Sequence, residues 1–167
     1  MSMTRGFYLP QDGHLVQLLP ALDQTGSART SLVVRMGKYN HANIIISIGI
    51  NPLAAGVYTI ESCSDMTPTV HTPITFSYYA CLIGYQTAGG DVLGAIQNVT
   101  VAATGLIPTA GTPNIMYDIE LEADHLTQGH IGFRLCLANP AAASVQSAIA
   151  ILSGTRYAYD QSPTVIA

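Results

Sequence analysis

Hydrophobic and polar positions alternate along much of this chain, most clearly from Ile115 to Leu137. Ile115, Tyr117, Ile119 and Leu121 are interleaved with Asp118, Glu120 and Glu122. After a polar loop, Ile131, Phe133, Leu135 and Leu137 repeat the pattern, with Arg134 on the other side. A period of two buries one set and turns the other to water, which predicts two half-buried β-strands. If these strands pair directly, core residues oppose core residues and Arg134 falls opposite Asp118 or Glu120. Such an opposite-charge cross-strand pair stabilises by roughly 0.2–1 kcal/mol.

The same pattern can be followed along the rest of the chain. Residues 1–14 have no periodicity and read as an extended arm. Leu15 to Leu22 is a first edge strand that Pro20 ends or bends. Leu32 to Met36 is a short strand. Ile44 to Ile48 is a β-branched run suited to a strand covered on both faces. Val57 to Cys63 alternates, with Tyr58 and Ile60 on one face and Thr59 and Glu61 on the other. Ile74 to Ile83 follows, with Ile74, Phe76 and Tyr78 inward. Val92 to Ala102 is one or two strands broken by Gly94, and Val145 to Leu152 is a last core strand. The turns between them are rich in Gly, Pro and Asn, and no run supports a helix. Eight to ten short strands at this spacing predict an all-β fold, an antiparallel β-sandwich or jelly roll spanning 15–158, with a tail over 159–167.

Composition changes the picture in one respect. Only 10% of the 167 residues are charged, while 49% are hydrophobic; ordinary domains carry about 25% charge. So weakly charged an exterior suits a subunit whose surface is covered by neighbours. The net charge is −4 and Lys38 is the only lysine, so no basic face for nucleic acid is expected. The most apolar stretch, Ala42 to Ile50, is too short to cross a bilayer, and the start has no signal-peptide run. Cys63, Cys81 and Cys136 are widely spaced and read as reduced thiols of a chain made in a cytosol, with one disulfide remaining open.

Candidate chemistry is sparse. Asp118 and Glu120, two apart on a strand, lie about 7 Å from one another, within the range of a glycosidase carboxylate pair. The plainer reading is a solvated strand face. His125 and His130, beside Asp124, have a spacing compatible with metal ligands, but no second short-spaced pair accompanies them. Tyr39, Tyr85 and Tyr157, near predicted strand ends, could stack on sugars. Asn98-Val99-Thr100 matches a glycosylation sequon and reads as strand sequence. No nucleophile, phosphate-loop or dinucleotide motif is present. The expectation is therefore a non-enzyme with no catalytic, cofactor-binding or metal residues.

Several segments resemble a broad group of tailed-bacteriophage virion proteins. They are Asn114-Ile115-Met116-Tyr117 with its acid-alternating strand, the Ala123-Asp124-His125-Leu126 corner, Phe133-Arg134-Leu135, and the closing stretch from Ala148 to Ala158. Leu18 to Asp23 and Phe76 to Ala80 look similar too. The resemblance implies a structural protein of the capsid exterior, a decoration (cement) subunit made in the host cytoplasm. Its implied partners are the major capsid protein and copies of itself, with a trimer expected because cement proteins commonly sit at three-fold positions. The arm and tail would then reach across subunit boundaries. Two rivals stand beside it: a lectin-like head-fibre or tail component using the tyrosines, and a hydrolase using Asp118 and Glu120.

Overall fold

The alternating segments become extended strands, each turning its apolar side to a shared interior. The computed structural model describes residues 9–23, 26–49, 56–82, 92–108, 114–140, 143–155 and 164–165. In chain order the strands are β1 (His14–Asp23), β2 (Arg29–Thr30), β3 (Val34–Arg35), β4 (Tyr39–Ile48), β5 (Tyr58–Cys63), β6 (His71–Ile74), β7 (Phe76–Leu82), β8 (Gln97–Val99), β9 (Ile115–Glu122), β10 (Gly132–Leu137) and β11 (Val145–Thr155). One sheet runs β1-β11-β4-β9-β7-β8. The other runs β2-β10-β5-β6, with β3 beside β2 along the same edge of β10. Every pairing is antiparallel.

The pairings are nested. The first strand lies against the last, β2 and β3 against β10, β4 against β9, and β5 against β6. A long hairpin rolled up so that its partners fall alternately in two sheets is a jelly roll, as the strand count and turn spacing predict. Between the sheets lie Ile44, Ile46, Ile60, Ile119, Phe133 and Leu135, all fully buried. At roughly 25 cal/mol per Å² of apolar surface removed from water, this layer is the main favourable term of the fold. Close approach also selects residues. A Cβ at Gly132 would overlap the Val34 carbonyl, so β3 can lie against β10 only where that residue has no side chain.

Several expectations change; among them, the last strand runs past Leu152 to Thr155, and the expected arm holds a helical turn at Leu9–Asp12 before β1 begins at His14. The strands Ile115–Glu122 and Gly132–Leu137 are not neighbours; they belong to opposite sheets and meet through their buried faces. A 3-10 turn at Ala123–His125 begins the crossing between them. The predicted strand Ile74 to Ile83 divides at Thr75, where the chain leaves the smaller sheet for the larger; Ile83 itself lies outside the described residues. Ile74 and Phe76 both stay buried because the two strands face the same interior. Of Val92 to Ala102, only Gln97–Val99 pairs as a strand. The Ile44 to Ile48 run is not covered on both faces. It belongs to a longer strand in which Ala42, Ile44, Ile46 and Ile48 are buried and His41, Asn43, Ile45 and Ser47 face outward, half-exposed.

At the chain ends, Leu9–Asp12 forms one helical turn, closed by the Gly13 amide donating to the Leu9 carbonyl at 3.0 Å. His14 already belongs to β1 and stacks on Tyr39. Near the other end, the Arg35 amide donates to the Thr164 carbonyl at 3.0 Å, and Val165 packs against the core. The described parts of both ends therefore rest on their own domain. Residues 1–8 of the expected arm and most of the expected tail lie outside the described residues.

Candidate functional site

The outward side of the six-stranded sheet gathers the polar groups that the alternation predicts. Register sets them in rows across the strands. Ile151, Asn43, Glu120 and Ser77 lie side by side on β11, β4, β9 and β7, and Ile149, Ile45, Asp118 and Tyr79 form the next row. His41 stands opposite Glu122. Within this face His41 Nδ1 lies 2.8 Å from Glu122 Oε1, and Nε2 lies 3.0 Å from Glu120 Oε2. The Asn43 amide nitrogen donates to Asp118 Oδ1 at 3.2 Å and to Glu120 Oε1 at 3.1 Å. One imidazole and one carboxamide thus tie three acids into a strip along β9.

Asp118 and Glu120 are close together, as expected, but Asn43 occupies the gap between them. A hydrolytic pair needs a sugar or a water in that gap. Glu122 is exposed and Asp118 and Glu120 are half-exposed, so the strip holds charge at the surface. His41 and Asn43 were not foreseen. Their signal was the outward parity of His41, Asn43, Ile45 and Ser47, which the run of three isoleucines obscured.

Arg134 does face an acid, but the acid is Glu61 on β5, directly opposite in register. Its Nε and Nη2 both reach Glu61 Oε2 at 2.6 Å, and His71 Nδ1 reaches the same oxygen at 3.1 Å. Burial works to raise the Glu61 carboxyl. The Arg134 hydrogen bond, the Cys136 thiol and the charges of Arg134 and His71 outweigh it and hold Glu61 below the usual carboxylate range. Burial pushes the Cys63 thiol up to about 11, and burial with the nearby Glu61 charge raises Cys136. All three cysteines are free. Cys63 and Cys136 are held as thiols, the unreactive form.

The two histidines of the 123–130 loop do not converge. His125 Nδ1 accepts from the Glu122 amide at 3.3 Å and closes the 3-10 turn. His130 Nδ1 lies 2.8 Å from Ser62 Oγ, which also accepts the Thr127 amide at 3.1 Å. Ser62 is fully buried, so this Ser–His contact pins the loop to β5. No group of three metal-ligating side chains occurs among the described residues. Tyr39 is fully buried and so is not a sugar platform, while Tyr85 and Tyr157 lie outside the described residues. The half-exposed aromatic ring on the acidic face is Tyr79, opposite Asp118.

A third feature lies at the β8 edge of the same sheet. Val92, Leu93, Ile96, Val101 and Ile107 are each at least 50% exposed, and they flank a strand that has one pairing neighbour among the described residues. An open depression of about 490 Å³ runs beside it, lined by Thr75, Ser77, Asn98, Thr100 and His125 among others. Asn98 is exposed there and accepts from Ser77 Oγ at 2.7 Å. Among the described residues no helix is long and apolar enough to span a membrane. Comparison with protein-family models, with curated proteins and with solved structures gave no match.

Proposed function

We propose that this chain is a virion structural protein, a decoration subunit that strengthens a bacteriophage head by covering boundaries between capsid subunits. The observation that supports it most is the β8 border. Five exposed aliphatic side chains close to one border strand in sequence are costly on a free-standing surface and suit a contact. Low surface charge points the same way. A jelly roll is compatible with a capsid role and with lectin roles alike, so the fold does not decide between them. A stable seat needs about 1,000 Å² or more of buried surface, and repetition around a closed shell lets modest contacts add up.

The test is co-sedimentation with shells of the major capsid protein from the same virion. Ile96→Asp with Val101→Asp should abolish binding and leave the thermal midpoint within a few degrees, because both side chains are exposed. Binding equal to the unaltered protein would remove the reading.

A lectin-like role has one observation of its own, the half-exposed Tyr79 ring opposite Asp118. Retention on a glycan array that Tyr79→Ala abolishes would favour it. A blank array would count against it.

A further inference from the structure

A bare sheet edge invites another strand, so folded proteins blunt theirs with proline, charge, bulges or a covering segment. Among the described residues the two sheets have four borders, and three are protected in this way. β1 carries Pro20 and breaks register twice. β6 carries Pro73 among its four residues. Along β2 and β3 stand Arg29 and Arg35, and the Thr164 carbonyl takes the Arg35 amide. β8 has none of these devices. It reads Gln97-Asn98-Val99 and pairs with β7 in unbroken register, and no charged residue occurs from Val92 to Pro108.

The backbone of β8 presents a free donor and acceptor at this border. The Gly94 amide donates to the Ala80 carbonyl at 2.8 Å, so Ala80 turns its peptide groups to the β8 side of β7. Tyr78 and Phe76 have the same parity and bond Gln97 and Val99 across the ladder. Asn98, between those two, therefore directs its N–H and C=O away from β7. No hydrogen bond meets them among the described residues. The Asn98 side chain is exposed; its oxygen accepts from Ser77 Oγ, and its Nδ2 has no partner among the described residues. Two depressions border the strand, the one of about 490 Å³ beside Ser77 and Thr100 and one of about 260 Å³ beside Tyr78, Val101 and Ile107.

We infer that β8 pairs with β8 of a second copy of this chain, antiparallel about a two-fold axis through Asn98. Three observations support a second copy as the occupant. The register closes on itself: Asn98 meets its equivalent, and the two exchange both backbone hydrogen bonds. The chemistry is its own complement. An uncharged border meets its like without repulsion, and a carboxamide is donor and acceptor at once, so the spare Nδ2 of each copy has an acceptor in the other. The apolar side chains also find places. Ile96, 54% exposed, falls opposite Thr100 of the other copy, at the rim of the larger depression. The pairing joins the two six-stranded sheets into one continuous sheet. The inference rests on reading the β8 border as a contact surface, and it names the first partner there; a pair so joined spans more of a boundary between capsid subunits than one copy does. A two-fold contact closes at two copies, not at the three that the resemblance implies.

The test is sedimentation velocity of the full chain over a dilution series, with cross-linking to fix the register. The unaltered chain should sediment as a dimer at high concentration. Asn98→Lys sets like charges on the axis, and Asn98→Pro removes the outward N–H where an edge strand tolerates proline; each should weaken pairing about tenfold or more. Their melts should stay within a few degrees of the original, because the residue is exposed. Asn98→Ala keeps the backbone groups and should weaken pairing less. Asn98→Cys supplies a gain rather than a loss: under copper–phenanthroline it should join two copies by a disulfide. Val101→Cys, whose equivalents lie about 20 Å apart in this register, should not. The unaltered chain, with its three native thiols free, is the control. A monomer at every concentration, pairing untouched by Asn98→Lys and Asn98→Pro, or cross-linking at Val101→Cys in preference to Asn98→Cys would overturn the inference. A monomeric chain whose sedimentation with shells is still abolished by Ile96→Asp with Val101→Asp would show the border receiving the shell instead, and leave the decoration proposal standing. A dimer of the expected register that ignores shells would remove the decoration proposal and leave this contact.

Discussion

Two buried polar contacts show how much single side chains weigh here. The Tyr58 hydroxyl donates to Gln146 Oε1 inside the sandwich, and burial, with Tyr117 adding, drives the phenol's ionisation upward. Gln146 Nε2 has no partner among the described residues. Tyr58→Phe should therefore cost about 1–3 kcal/mol by orphaning the second end of the amide. Adding Gln146→Leu should recover most of that loss, because replacing both partners removes the penalty; urea midpoints of the four proteins would show the coupling. Glu61 gives a pH signature. Its carboxyl is depressed in the folded protein, so its contribution is present above the unfolded value of about 4.3 and is lost as pH falls through the lower folded value. Glu61→Gln should lower stability by about 1–2 kcal/mol at pH 7, and the two proteins should converge in acid. Arg134 was legible as a residue needing an acid across a strand. Which acid was not, because period-two alternation reports the face and says nothing of the neighbour.

Individual strands were easier to read than their partners. The edges of β5 follow from local alternation to within one residue and β9 was read residue for residue, whereas β11 begins as expected at Val145 but runs on past Leu152 to Thr155. The break at Thr75 was hidden because Ile74 and Phe76 keep a single inward parity while changing sheets. The β2 and β3 pairs are two residues each, too short for any period to show. The acidic strip was half visible: Asp118 and Glu120 stood out, while His41 and Asn43 come from a strand 75 or more residues away. The sheet order also predicts unequal protection. Backbone amides of Ile44, Ile46 and Ile48, in a central strand paired on both sides, should exchange with deuterium slowest. Those of Gln97–Val99, at the border, should exchange orders of magnitude sooner. Uniform protection by mass spectrometry would contradict this topology.

For the molecule as a whole, nesting governs how the chain reaches its fold. The outermost pair, β1 with β11, joins residues such as His14 and Leu152 that lie nearly the whole domain apart. Contacts so distant in sequence must wait for loop closure, so folding should take milliseconds to seconds or longer. Loss of residues 145–155 should prevent folding altogether, since it strips β1 and β4 of a shared neighbour. Stopped-flow fluorescence of the tyrosines and circular dichroism of the shortened chain would measure both.

The antiparallel lie of β1 against β11 also fixes where attachments emerge. The chain enters β1 at His14 and passes Leu152 on its way out at the same end of the sandwich. Halves of a split luminescent reporter, one inserted just ahead of Leu9 and the other just after Thr155, should meet and light up on a single subunit even at great dilution. Grafts placed there would be displayed in twos.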